Sequence, residues 1–103
     1  MFFIADTPWQ AGSVPDCLSA HPDEPSACVR DRKAAINRPA RRKLIEETVR
    51  AGGATVIDPA PWFCTATQCP SVIGNILVYR DQHHMTTAYS RLLAPLLGDA
   101  LQP

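Results

Sequence analysis

Four cysteines set in two proline-rich stretches constrain this 103-residue chain more than any other feature of its sequence. Cys17 and Cys28 lie in VPDCLSAHPDEPSACVR, and Cys64 and Cys69 lie in PAPWFCTATQCPS; each stretch holds three prolines. Proline removes a backbone donor and fixes φ, so neither stretch can rest on continuous hydrogen-bond ladders, and a covalent staple is useful there. Four cysteines permit three pairings. Local pairing, Cys17–Cys28 and Cys64–Cys69, closes two short loops and is the expected arrangement; it implies an oxidising compartment. Two alternatives stay open. One is a zinc site, which the ten residues between Cys17 and Cys28 fit poorly, since zinc ligand pairs are usually closer. The other is four reduced, buried thiols in a cytosolic protein.

Lys+Arg and Asp+Glu are 10 each, so the formal charge is zero and neither a basic nucleic-acid footprint nor an acidic tail is present. With 46% hydrophobic and 19% charged residues the chain reads as globular, and its length suits one small domain. No apolar run reaches the roughly 18 residues of a membrane span. The opening MFFIADTPWQ has no basic residues ahead of its apolar ones, and Asp6 interrupts them early, so it does not read as a signal peptide. It reads as a buried strand from residue 2, ended by Asp6-Thr7-Pro8. Core-like residues so near a terminus suit either a compact protein with a tied-down N-terminal strand or the later part of a larger domain.

Downstream, residues 31–38 suit a helical turn. ARRKLIEETVRAGG reads as a helix with Leu44, Ile45, Thr48 and Val49 on one face and the pairs Arg42–Glu46 and Glu46–Arg50 on the other, stopped by Gly52-Gly53. ATVID is a short strand ending at Asp58-Pro59, and IGNILVY is a second, ending at Tyr79. From Thr86 a helix carries Tyr89, Leu92, Leu93, Leu96 and Leu97 on one stripe, with Pro95 expected to kink or divide it. Three short strands alternating with helices imply an α/β fold with a parallel sheet.

The last strand runs into YRDQHHMT. In open parallel sheets, ligands bind beyond the carboxyl ends of the strands. There, a carboxylate at position 81 and an imidazole at position 84 are spaced to meet across a turn. Asp81 accepting the Nδ1–H of His84 fixes the tautomer and leaves Nε2 free as a base. His83 is expected to point elsewhere, and His83→Ala to be mild. The structural alternative is that Asp81 caps a turn and both histidines are surface polar residues.

With VPDCL and Cys28 after it, VIDPAPWFC followed by CP, and VYRDQHHMT, nearly the whole chain resembles the C-terminal half of an SGNH (GDSL-like) hydrolase domain. It is most similar to the version fused behind the membrane part of bacterial envelope acyltransferases, the O-antigen and surface-glycan O-acetylases. That family's last block is Asp-x-x-His, then an apolar residue, then Ser or Thr; here it stands as Asp81-Gln82-His83-His84-Met85-Thr86. The resemblance implies a partial three-layer, flavodoxin-like parallel sheet with flanking helices. It implies His84 as catalytic base, Asp81 as its orienting acid, an extracytoplasmic site, a membrane acyltransferase module as partner and an envelope glycan as acceptor. It calls for no cofactor or metal.

The family's nucleophile is the serine of a G-D-S block near the domain's start, and no such block occurs in these 103 residues. Ser13, Ser19, Ser26, Ser71 and Ser90 read as loop or helix-surface residues. The chain is therefore expected to be the later portion of an SGNH-type domain spanning 1–103, inactive alone for want of a nucleophile. A non-catalytic stapled module, or the remnant of a truncated gene, is the other reading. Asp6 shares the sheet edge with Asp81 and reads as a turn residue. Trp9 is a candidate platform for a sugar or acyl chain, Trp62 a core aromatic beside a staple, and His21 a solvated loop residue.

Overall fold

A computed structural model describes residues 1–102. In chain order the first half forms β1 (Phe2–Ile4), α1 (Val14–Ala20), a 3-10 turn (Pro25–Cys28), β2 (Arg30–Asp31), α2 (Arg32–Ala35) and α3 (Pro39–Ala51). The second half forms β3 (Thr55–Ile57), α4 (Ala60–Phe63), β4 (Gln68–Cys69), β5 (Val72–Ile73), β6 (Ile76–Leu77) and α5 (Thr87–Ala100).

The parallel sheet joins β1 to β3 in the register Phe2–Thr55, Phe3–Val56, Ile4–Ile57. The α3 helix provides the crossover between them and packs on β3, as a βαβ unit requires. The expected third parallel strand at 73–79 does not form among the described residues. Its first part is instead half of a hairpin, β5 against β6, turned at Gly74 and Asn75. Both turn residues have positive φ, 55° and 64°, the geometry of the two-residue turn that matches the strands' twist. Gly-Asn between short apolar runs is a hairpin signal, and it outweighs the apolar continuity that suggested one strand.

Both expected disulfides are present, Cys17–Cys28 and Cys64–Cys69. The segment holding the first is more ordered than a loop. Ser13 caps α1 by accepting from the Asp16 amide, Pro15 falls in the first turn, and Asp16 faces the helix's positive end. The two stapled segments join through the antiparallel pair β2–β4, where Arg30 faces Cys69. The buried Ser71 hydroxyl adds a bond to the Cys28 carbonyl.

The core is Val14, Phe63, Val78, Tyr79, Tyr89 and Leu93, with Trp62 packed at its margin. The α5 stripe is narrower than expected: Tyr89 and Leu93 are buried, while Leu92 and Leu96 are exposed. Thr86 caps this helix at the Tyr89 amide, and it continues through Pro95 rather than dividing there. Helix α3 buries none of its residues, and Leu44 and Ile45 stay exposed. Its Glu46–Arg50 pair forms at 2.8 Å. Arg42 does not pair with Glu46; it turns back to the carbonyls of Asn37, Asp6 and Thr7 and toward the Asp6 carboxylate.

Candidate active site

The chain leaves the β5–β6 hairpin through buried Val78 and Tyr79, makes a tight loop over 80–84, and returns where Met85 bridges to Tyr79. The Arg80 amide donates to the His84 carbonyl across the loop's neck. Asp81 organises what lies inside. Its Oδ1 accepts from the backbone amides of His83 at 2.9 Å and His84 at 2.7 Å. Its Oδ2 lies 2.7 Å from His84 Nδ1. The His84 amide, the His83 amide and then the His84 ring hold this carboxyl well below the usual carboxylate range. An ionised carboxylate only accepts, so in the neutral form of His84 it is Nδ1 that carries the proton and Nε2 that has the lone pair. The pair is about half exposed. What the arrangement can do chemically is take a proton at Nε2 from an approaching hydroxyl and stabilise the resulting imidazolium through Asp81.

His83 does not point clear of the pair: one of its ring nitrogens lies within 4.8 Å of an Asp81 carboxylate oxygen and of a His84 ring nitrogen. Its ring lies flat on Trp9, centroids 3.9 Å apart and planes within 6°. The segment that follows β1 forms the floor under the loop. The Thr7 hydroxyl donates to the His83 carbonyl at 3.1 Å, and the Gln10 amide donates to the Gln82 carbonyl at 2.9 Å. The Val14 amide donates to the Asp81 carbonyl. Gln10 is buried, and its side chain donates to the Cys69 carbonyl, so it ties the loop to the second staple. Thr7 and Gln10 escaped the sequence reading. The signal for them was only TPWQ after a strand, at the sheet edge where sites form.

Other candidates fall elsewhere. Trp9 has one ring face taken by His83, and the Arg38 guanidinium lies 5.8 Å from its ring centroid. Asp6 accepts from Trp9 Nε1 and the Thr7 amide and serves the turn. Ser13 is occupied as a helix cap. His21 is exposed at the end of α1. A cleft of about 760 Å³ opens beside β1 and α3 among Phe3, Ala5, Ile36 and Ile45. Neither Asp81 nor His84 lines it, so the cleft and the proton-transfer pair are separate features.

Residues 1–99 match the family described as SGNH domain (fused to AT3 domains). The chain belongs to this SGNH family. Curated proteins and solved structures gave no match. The chain is thus an SGNH module of a family found fused to AT3 domains, with mixed α/β character, a short parallel sheet and two disulfides. None of its described helices is long and apolar enough to cross a membrane.

Proposed function

We propose that this SGNH module supplies the base and its orienting acid to a domain that transfers O-acyl groups to cell-envelope glycans. The observation that carries the reading is the 2.7 Å contact of His84 Nδ1 with an ionised Asp81 in a chain of this family. A serine hydroxyl, contributed by a G-D-S-bearing segment outside these 103 residues, attacks the acyl carbonyl while His84 Nε2 accepts its proton. The tetrahedral adduct collapses, and His84 returns the proton to the departing oxygen. A glycan hydroxyl, deprotonated in turn by His84, then attacks the acyl-serine and regenerates the serine. Asp81 stays ionised and holds the ring. On this reading the module sits outside the cytoplasm beside a membrane acyltransferase partner, which agrees with its two disulfides. The parent domain has the three-layer parallel sheet of which β1 and β3 are part.

The test begins with the coding sequence ahead of Met1. An open frame encoding G-D-S and membrane helices supports the reading; its absence sinks it. In the longer protein, His84→Ala should cut acyl transfer by several orders of magnitude and Asp81→Asn by less. The isolated chain should show no hydrolysis of simple acyl esters above background. Turnover that depends on His84 in the isolated chain would mean that a serine within it, Ser13 first, is the nucleophile.

A further inference from the structure

The adjacent histidine is more than a neutral neighbour. The geometry points to His83 and Trp9 as positioning residues: their stacked rings form a clamp that sets the orientation and tautomer of His84. This deepens the catalytic reading above and rests on it.

Four independent contacts meet on His83. Its ring lies on the Trp9 face at 3.9 Å. The His84 ring lies 4.1 Å from its centroid, tilted by 38°. Its amide donates to Asp81 Oδ1, and its carbonyl accepts from Thr7 Oγ1. One residue therefore touches the base, the acid and the floor of the loop. Behind it, Trp9 is fixed in turn by Asp6 at its Nε1 and by the Arg38 guanidinium. A half-exposed imidazole such as His84 samples several ring orientations unless something restricts it. The Asp81 contact restricts it at one atom, and the neighbouring ring adds a wall.

The chemistry of His83 itself is telling. Its Nδ1 is buried with no hydrogen-bond partner among the described residues. A buried, unpartnered polar atom is unfavourable. Its ring is held by stacking, and a purely apolar ring would fill the same slot. The clamp thus depends on a flat ring at position 83 and not on a hydrogen bond from it.

The decisive measurement reads the tautomer of His84, not turnover. Long-range ¹H–¹⁵N correlation spectra of the ¹⁵N-labelled 103-residue chain are recorded under oxidising conditions, with sucrose to favour the folded state. Near-UV circular dichroism reports folding of each sample. Wild type should show His84 mainly as the Nδ1–H tautomer. Trp9→Ala and His83→Ala should each lower the ratio of that tautomer to the other by about 2- to 12-fold, the range that one aromatic stack implies. His83→Phe should restore the wild-type ratio, and it leaves His21 and His84 as the only imidazoles to assign. If Trp9→Ala fails to fold, the contrast of His83→Ala with His83→Phe decides. Folded variants that keep the wild-type ratio, or a wild-type His84 with the tautomer mixture of a free peptide, overturn the clamp. Inactivity of the longer protein with an intact tautomer bias would instead count against the catalytic reading alone.

Discussion

Tyr79 is fully buried in the core, two residues before Asp81, and burial pushes its phenol up to about 12. Burial raises Tyr89 as well. A raised phenol pKa means that the folded chain holds its proton longer than the unfolded chain does. The stabilisation is complete below the ordinary value of 10.0 and is lost as the pH rises toward the folded value. At pH 10 the native chain should show little tyrosinate absorbance near 295 nm, and addition of urea should make it appear. A native spectrum already half ionised at that pH would show that Tyr79 is not enclosed. At the same scale, the Asp81–His84 pairing was legible from its spacing, because a three-residue separation across a turn is a local relation. The role of His83 was not. Its stacking partner, Trp9, is 74 positions away in the chain (83 against 9), and no local pattern announces such a contact.

Among the elements, the staples, the hairpin and the last helix each make a distinct prediction. Cys17–Cys28 closes a span of 11 residues and Cys64–Cys69 one of 5. Loop entropy assigns about 3 kcal/mol to the first and about 2 kcal/mol to the second. Replacing each pair by serines and measuring denaturant midpoints should give losses in that order. Peptide mapping that found Cys17 bonded to Cys64 would refute the pairing itself. Gly74 sits at φ 55° with nothing within 4 Å of where a Cβ would stand. Gly74→Ala should therefore cost about 1–2 kcal/mol from backbone strain alone, with no steric clash. Pro95 lies inside α5 on its exposed side. Pro95→Ala restores an amide to the helix and should stabilise by up to about 3 kcal/mol. A lower melting temperature for that variant would show that the proline shapes the helix usefully.

At the scale of the whole molecule the chain is loosely assembled. Its radius of gyration is 14.6 Å, against about 13 Å for a compact domain of this length. Among the described residues only β1 and β3 form the parallel sheet, and parallel sheets are ordinarily covered on both faces and flanked by further strands. Met1 and Ala5 bond toward β3, so by the alternation of a strand the backbone groups of Phe2 and Ile4 face the other way. Their side chains are also exposed, along with Leu44 and Ile45 of α3. The isolated chain should melt broadly and associate as concentration rises, measured by scattering and by calorimetry at several concentrations. Ile4→Lys should reduce that association while leaving the melting temperature nearly unchanged. A sharp transition that does not depend on concentration would count against a domain that needs more chain to complete it.

The sequence by itself determined the local relations: strand–helix alternation, the two cysteine pairs, the start of α5 and the Asp81–His84 spacing. Each depends on residues a few positions apart, where backbone geometry leaves few choices. The tertiary structure alone decided which apolar runs pair, which faces are covered, and what lies under the loop that carries Asp81 and His84. IGNILVY contained both a strand and a hairpin signal, and the choice turned on Gly74 and Asn75 accepting positive φ. Leu44 and Leu92 fit a helical stripe yet remain exposed, because periodicity marks a face that is able to be buried and not the surface that buries it. Arg42 had a partner four residues away and chose carbonyls across the fold. A planar guanidinium gains more from several converging acceptors than from one exposed carboxylate, and only the folded chain brings those acceptors together.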